Sequence, residues 1–265
     1  MSLAFCSLAS GSKGNCYLLA SHRSRILIDA GISAKSIINI LSGLNILPES
    51  LNGIIVTHEH GDHISGVRVL SRRYDIPVYA NEKTMEEILL RNSDLGSKNV
   101  RTFKTSENFY IGDIDISPFS TPHDSVDSVG FCLYNGNKKI TIATDLGHIN
   151  QKIMNAAANS DLLVLEANHD LNMLVNGSYP QTLKKRIQGK YGHLSNEACG
   201  RALAELCRTN LRQIILAHLS DENNHPDLAH KTVCGILESN GIAVGCDLIV
   251  DVALQLRRSN CYEIK

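Results

Sequence analysis

Three histidines and an aspartate fall within residues 58–63, directly after the apolar segment 53–57. The apolar segment predicts a buried strand, and α/β folds place ligand sites just beyond the carboxyl ends of such strands. Alternation of side chains directs His58 and His60 to one side, while the start of a helix turns Asp62 and His63 toward a second point nearby. A solvated turn would leave clustered imidazoles beside a buried strand without partners. The run therefore predicts an α/β fold with a metal site large enough for two ions.

The rest of the chain predicts two βα halves on either side of a β meander. No proline-rich or serine-rich linker and no repeat interrupts this pattern, so we expect a single domain over residues 1–265 with sheets packed between helices. Strands are predicted at 3–8, 15–20, 25–29, 53–57, 77–80, 109–111, 114–119, 130–134, 139–143, 161–166 and 213–217. Helices are predicted at 34–44, 63–74, 82–91, 149–157, 196–209 and 227–240.

Charge and composition exclude several protein classes. The 26 basic and 27 acidic residues give a net charge of −1, so any nucleic-acid contact must come from a local patch. No apolar run is long enough for a membrane span, and the first residues lack the pattern of a signal peptide, which predicts a cytoplasmic protein without a membrane partner. Eight cysteines without a Cys-x-x-Cys pair are typical of free thiols in a reducing compartment. Tryptophan is absent, which argues against a fold that stacks many bases on aromatic rings.

The segment His-Glu-His-Gly-Asp-His at 58–63 resembles the HxHxDH signature of the metallo-β-lactamase fold hydrolases. Three further segments at predicted strand ends resemble that family's later motifs in the same order: 121–124, 144–147 and 217–218. The resemblance implies the metallo-β-lactamase fold, a four-layer αβ/βα sandwich with two mixed sheets flanked by helices. It also implies two divalent ions, zinc or manganese, and a hydroxide bridging them. His58, His60 and His123 would hold one ion, Asp62, His63 and His218 would hold the other, and Asp145 would lie between them.

Segments outside these ligands resemble the YycJ/WalJ group of DNA exonucleases, which are related to RNase Z and RNase J. The similar segments are 7–19, 166–170, 192–196 and 217–220. This likeness implies that His193 donates a proton to the leaving 3′ oxygen or clamps the phosphate, and that Glu166 orients it. Alternatively, His193 only flanks a helix capped by Ser195. His169 and Asp170 are further candidates for residues that surround Glu166 and His193.

A short basic stretch precedes His193 in this otherwise neutral chain. Lys184, Lys185, Arg186 and Lys190 either bind a phosphate backbone or form a solvated helix face. Only 72 residues separate Leu146 from His218, which leaves no room for the inserted domain of RNase J and its relatives. The remaining histidines at 22, 148, 225 and 230 are predicted to be surface, loop or capping residues.

Together these features predict a metal-dependent phosphodiesterase that hydrolyses nucleic acid, as a 5′ to 3′ DNA exonuclease. One alternative is a small-molecule hydrolase of the same fold, a cyclic phosphodiesterase or a glyoxalase-II-like thioesterase. Another is a metal-binding regulatory module without turnover. The basic stretch and the Glu166/His193 pair favour a phosphodiester substrate over a thioester.

Overall fold

The computed structural model describes residues 2–92, 95–255 and 257–264. Its strands are β1 Leu3–Ala9, β2 Cys16–Ala20, β3 Arg25–Ile28, β4 Gly53–Ile55, β5 Val78–Asn81, β6 Val100–Phe103, β7 Phe109–Ile111, β8 Ile114–Ser120, β9 Val129–Asn135, β10 Lys138–Ala143, β11 Leu162–Glu166, β12 Gln213–Ala217, β13 Ile249–Val252 and β14 Tyr262–Ile264. Its helices are α1 Ala34–Ser42, α2 Gly61–Ile64, α3 Val67–Tyr74, α4 Glu82–Arg91, α5 Gln151–Ala157, α6 Leu171–Asn176, α7 Gln181–Ile187, α8 Asn196–Leu206 and α9 Pro226–Ser239. Two short 3₁₀ turns lie at Pro48–Ser50 and Ser97–Asn99.

The strands form two seven-stranded mixed sheets with matching organisation. The first sheet has the order β14-β1-β2-β3-β4-β5-β6 and the second β13-β12-β11-β10-β9-β8-β7. In the first sheet, β3 to β6 are parallel to one another, while β14, β1, β2 and β3 pair antiparallel. In the second, β10 to β13 are parallel, while β7 to β10 form an antiparallel meander. The carboxyl ends of the parallel strands within each sheet therefore share one edge.

Alternating side chains give the sandwich its layers. In β11, Leu162 and Val164 face the core between the sheets, whereas Leu163 and Leu165 belong to the core under the outer helices. A third cluster lies under α1, α3 and α4, where Leu41 packs with residues of the first sheet. This four-layer arrangement confirms the predicted metallo-β-lactamase fold. That residues 1–265 form a single domain stays a prediction.

Several predicted boundaries need correction. The predicted helix at 63–74 is two helices, because Gly66 packs directly on the loop after β3, where its N–H donates to Ala30 O at 2.7 Å. A Cβ at residue 66 would lie 2.6 Å from Ile32 O, so only glycine allows this approach. The sequence patterns also miss α6, α7, β6, β13 and β14. By contrast, Ser33 and Ser195 cap α1 and α8 as predicted.

Candidate metal centre

The predicted metal ligands come together at the shared edge of the two sheets. One ligand atom from each of His58, His60 and His123 lies within 4.8 Å of the others, and the same holds for Asp62, His63 and His218. These two groups coincide with the two predicted ligand sets, and they overlap two further groups of the same compactness, one of His58, His63 and Asp145 and one of Asp145, Glu166, His193 and His218. The ligands of the two predicted sets lie in the loop after β4 in the first sheet and beyond the ends of β8 and β12 in the second.

Asp145 lies between the two groups. Its carboxylate is 3.4 Å from His63 Nε2 through Oδ2 and 3.7 Å from His123 Nε2 through Oδ1. Its backbone is left-handed, with φ 59°, and residues Asp29 (58°) and His218 (56°) at neighbouring strand ends adopt the same conformation. Non-glycine residues rarely occupy this region, and they concentrate where surrounding structure holds a functional geometry.

Unpartnered buried atoms indicate that these groups fit a divalent cation. His58 Nε2, Asp145 Oδ2 and His218 Nε2 are buried, and none makes a hydrogen bond to a residue that the structure describes. Buried polar atoms are rarely left unpaired unless another group binds them. Imidazole nitrogens and carboxylate oxygens are ligands that zinc and manganese both accept.

The electrostatics of the site also favour positive charge. Burial works to lower the pKa of His218, but Asp145, Asp62 and Glu166 outweigh it and raise the pKa to about 10. Burial works to raise the pKa of Asp62, and the neighbouring His63 and His218 hold it far below its usual range. Burial, reinforced by the surrounding imidazoles, lowers the pKa of His58, which keeps it in the neutral form that binds metals.

Asp29 braces His63 and is missing from the predicted site residues. Its carboxylate accepts hydrogen bonds from the backbone N–H and the Oγ1 of Thr57 at 2.8 and 2.9 Å, and from His63 Nδ1 at 2.8 Å. Donation by Nδ1 leaves Nε2 of His63 as the acceptor nitrogen, which lies 3.4 Å from the carboxylates of Asp62 and Asp145 and 3.1 Å from Asn15 Nδ2. The available signal is the position of Asp29 directly after an apolar strand, as for Asp145 and His218.

Glu166 is buried and connects His193 to the candidate ligand His218 through hydrogen bonds. Its Oε1 accepts from His193 Nδ1 at 2.8 Å and from His218 Nδ1 at 2.7 Å. Its Oε2 accepts from the backbone N–H groups of Leu146 and Leu194 at 2.7 and 3.1 Å. Burial works to raise the pKa of Glu166, but His193 and His218 overcome it and hold the carboxyl ionised. The Nε2 of His193 therefore stays available to a substrate.

His193 faces a cavity of about 230 Å³ that the ligands His60, Asp62, His123, Asp145 and His218 also line. Arg186 and Tyr179 of the segment around α7 complete its rim. The Arg186 guanidinium pairs with Asp124, with Nε 2.5 Å from Oδ2. The pairing is bidentate, because Nη2 also donates to Asp124 Oδ1 at 3.1 Å, so Nη1 is the group left to contact a phosphate that enters the cavity.

The four residues of the basic stretch differ in their exposure to solvent. Lys184 is buried, and its Nζ donates to Val175 O at 2.8 Å, so it holds α6 and α7 together and does not face solvent. Lys185 and Lys190 are exposed. The structure therefore argues against Lys184 as a phosphate contact and leaves that predicted role to Lys185, Arg186 and Lys190.

The other candidate residues have local roles. Asp170 caps α6 by accepting from the backbone N–H of Met173, and His225 caps α9. His169 is buried, and its Nδ1 has no hydrogen-bond partner among the described residues. Burial lowers the pKa of His169 to about 4. His148 donates from Nδ1 to Lys190 O at 3.0 Å, and His22 is exposed.

Known proteins are similar to this chain in sequence or in fold. A family model described as the beta-lactamase superfamily domain matches residues 24–219. The chain is 39% identical over 247 residues to Exodeoxyribonuclease WalJ of Streptococcus pneumoniae, covering 92% of this chain and 91% of that protein. It is 37% identical over 247 residues to Exodeoxyribonuclease YycJ of Bacillus anthracis, covering 92% and 93%. The metallo-beta-lactamase fold protein YhfI from Bacillus subtilis has a TM-score of 0.74 at 17% identity, covering 99% of both chains.

The fold, the histidine and aspartate clusters and these relatives define a metal-dependent hydrolase. The chain belongs to the beta-lactamase superfamily, in the family of YycJ and WalJ. Within the described ranges, no helix has both the length and the apolar character needed to cross a bilayer.

Proposed function

We propose that this protein is a 5′ to 3′ DNA exonuclease that uses two divalent ions, zinc or manganese, and acts in the cytoplasm. The observation that carries the proposal is the Glu166–His193 hydrogen bond beside the ligand clusters, because it orients an imidazole outside the predicted ligand sets toward the cavity that the candidate ligands line. Two relatives that cover more than nine-tenths of the chain are named exodeoxyribonucleases. Arg186 at the cavity rim suits a phosphate better than a thioester.

The residues present would hold the ions in two sets. His58, His60 and His123 would bind one, Asp62, His63 and His218 the other, and Asp145 both. Bound divalent cations lower the pKa of water and offset negative charge on a phosphoryl oxygen. The protein contributes fixed ligand directions, since His63 is braced by Asp29 and His218 by Glu166.

His193 would act on the leaving side of the reaction. A water molecule attacks phosphorus, the bond from phosphorus to O3′ breaks, and Nε2 of His193 gives its proton to O3′. The proton released by the attacking water restores the imidazolium. Glu166 accepts from Nδ1 throughout, which orients the ring toward O3′.

The test is His193→Ala compared with His22→Ala, a matched exposed histidine away from the site. Each variant is assayed on end-labelled DNA, on end-labelled RNA and on bis-p-nitrophenyl phosphate. We expect His193→Ala to keep its bound metal and to lose about 10²- to 10⁴-fold in turnover on DNA. The loss should be much smaller on the p-nitrophenyl ester, because p-nitrophenolate departs without a proton.

Other outcomes change the assignment. An equal defect on both substrates would make His193 a phosphate clamp, and loss of metal together with thermal stability would make it structural. Hydrolysis of the small ester without any degradation of DNA or RNA by the wild-type protein would refute the nuclease assignment. Faster degradation of RNA than of DNA would refute the proposed DNA preference.

A further inference from the structure

A second cavity, of about 620 Å³, is also lined by His193 but by none of the seven predicted metal ligands. The loop after β10, the start of α6 and the outward face of α8 enclose it. His193 lines both cavities, so the two adjoin at this residue. A volume of this size is ordinary for a small-molecule site.

The residues that line this second cavity supply apolar surface and one arginine side chain. Ile149, Met154 and Leu171 supply the apolar surface, and Leu171 is 39% exposed. Arg201 on α8 also lines the cavity and is exposed, and its guanidinium has no ion pair or hydrogen bond to any residue of the described ranges. His169, with its unpartnered Nδ1, is only 2% exposed and lines the same cavity. Apolar surface and an unpaired arginine together suit a ligand with a ring and an anionic group.

The position of His193 indicates which part of a substrate enters this cavity. A proton donor stands beside the leaving oxygen, so the fragment that departs lies on the donor's side of the phosphate. When a strand is shortened from its 5′ end, that fragment is the terminal nucleotide, which leaves through O3′ and still carries its 5′-phosphate. We propose that the cavity binds this 5′-terminal nucleotide, with Arg201 on its 5′-phosphate. The inference rests on the proposed exonuclease function and specifies its substrate end.

Glu205 explains why a chain end is favoured over an internal segment. It lines the cavity one helical turn beyond Arg201, and no ion pair joins the two side chains among the described contacts. With a rise of about 1.5 Å per residue, Arg201 lies about 9 Å along α8 from its cap Ser195 and Glu205 about 15 Å. A strand continuing past the first phosphate would bring a second phosphate toward this carboxylate, and like charges repel.

The activity test compares 5′-phosphorylated with 5′-hydroxyl oligonucleotides of the same sequence, loaded with the same metal. Wild-type protein should prefer the phosphorylated strand by about 10- to 100-fold in kcat/KM, the range for one charge-assisted contact. Arg201→Ala should abolish most of that preference by raising KM on the phosphorylated strand. Arg208→Ala removes an exposed arginine just beyond α8 and outside the cavity, so its preference should equal that of wild type.

A binding measurement without turnover provides an independent test. Deoxyadenosine 5′-monophosphate is titrated calorimetrically into wild type, Arg201→Ala and Arg208→Ala in the absence of metal. We expect Arg201→Ala alone to weaken binding by about 10- to 100-fold. Ala198→Tyr, which fills the cavity from a half-buried position, should weaken binding of the nucleotide and of deoxyadenosine alike.

The possible failures separate the two proposals. If wild type degrades DNA equally well with either 5′ end, and Arg201→Ala binds the nucleotide as wild type does, the exonuclease stands and this cavity has another role. Shortening from the 3′ end would overturn the cavity's assignment and the proposed polarity but not the nuclease activity. If wild type degrades no nucleic acid, the proposed function fails and this inference fails with it.

Discussion

Two buried carboxylates, Asp29 and Glu166, brace candidate ligands from opposite halves of the sandwich. Each lies at the end of a parallel strand, and each accepts a hydrogen bond from the Nδ1 of one ligand, His63 at 2.8 Å and His218 at 2.7 Å. They differ in their remaining partners. Among the residues that the structure describes, the Asp29 carboxylate otherwise accepts only from Thr57, whereas Glu166 also accepts from His193 and from two backbone N–H groups. The comparison shows that Asp29 contacts a single candidate ligand, while Glu166 contacts both a candidate ligand and His193, the proposed proton donor.

The largest effect is expected where the two halves meet, at Asp145. Asp145→Asn removes the negative charge shared by both ligand groups, and asparagine tolerates the left-handed backbone at this position. Metal content by elemental analysis should fall together with hydrolysis, which we expect to drop by at least about 10²-fold. A variant with two tightly bound ions and full turnover would show that Asp145 is not a shared ligand.

Glu166→Gln should produce two separable defects. Glutamine cannot accept from both imidazoles with a full negative charge, so His218 loses its brace and His193 its orientation. We expect about 10²-fold slower degradation of DNA, a smaller defect on bis-p-nitrophenyl phosphate and weaker metal binding. If added metal restored turnover on both substrates in full, Glu166 would be equivalent to Asp29.

Asp29→Asn should impair metal binding alone. The variant forces an amide toward His63 Nδ1, and loss of such a carboxylate costs about 10- to 100-fold in metal affinity. Competition with a chelator should reveal this loss, and saturating metal should restore turnover with the wild-type dependence on the leaving group. Asp75→Asn is the matched control, because Asp75 is an exposed aspartate with a left-handed backbone outside the site. A persistent turnover defect at saturating metal would mean that Asp29 also shapes the reaction.

The smallest effect is expected for Lys185 and Lys190, which lie outside the Asp29–His63 and Glu166–His218 pairs. If these exposed lysines bind phosphates, replacing both by alanine should weaken DNA binding several-fold and reduce the slope of log affinity against log salt by up to about 2. Binding isotherms at four salt concentrations would measure the slope. The control is the double alanine variant of Lys35 and Lys231, exposed lysines of α1 and α9. Equal slopes for the two double variants would assign the stretch to a solvated face.

The sequence could predict the site wherever the signal is local or repeated. The run at 58–63 is visible because three histidines occur within six residues, and His123, Asp145 and His218 follow apolar strands in the same way. The helix at 82–91 and the strands at 109–111 and 213–217 are confirmed to the residue. Asp29 is different, because a lone aspartate after a strand has many structural roles and becomes recognisable only when the fold brings it to His63.

The unpredicted elements depend on distant partners. β14 contains only three residues and is held by pairing with β1, where Leu3 faces Ile264. No local pattern reveals a strand whose partner lies at the other end of the chain. Lys184 shows the same dependence on a distant partner. A lysine among basic residues predicts an exposed side chain. Only the packing of α6 against α7 shows that its ammonium donates to Val175 O.

The left-handed residues at three strand ends have a thermodynamic consequence. Strained backbone conformations of this kind cost about 1 to 3 kcal/mol each, in a protein class whose total folding free energy is about 5 to 15 kcal/mol. Asp29, Asp145 and His218 all carry this cost next to the candidate ligands. A cation that binds only the folded site contributes about 2.7 kcal/mol when its concentration is 100 times the dissociation constant. The melting temperature should therefore follow metal occupancy, and preparations that differ only in chelator treatment should melt at different temperatures.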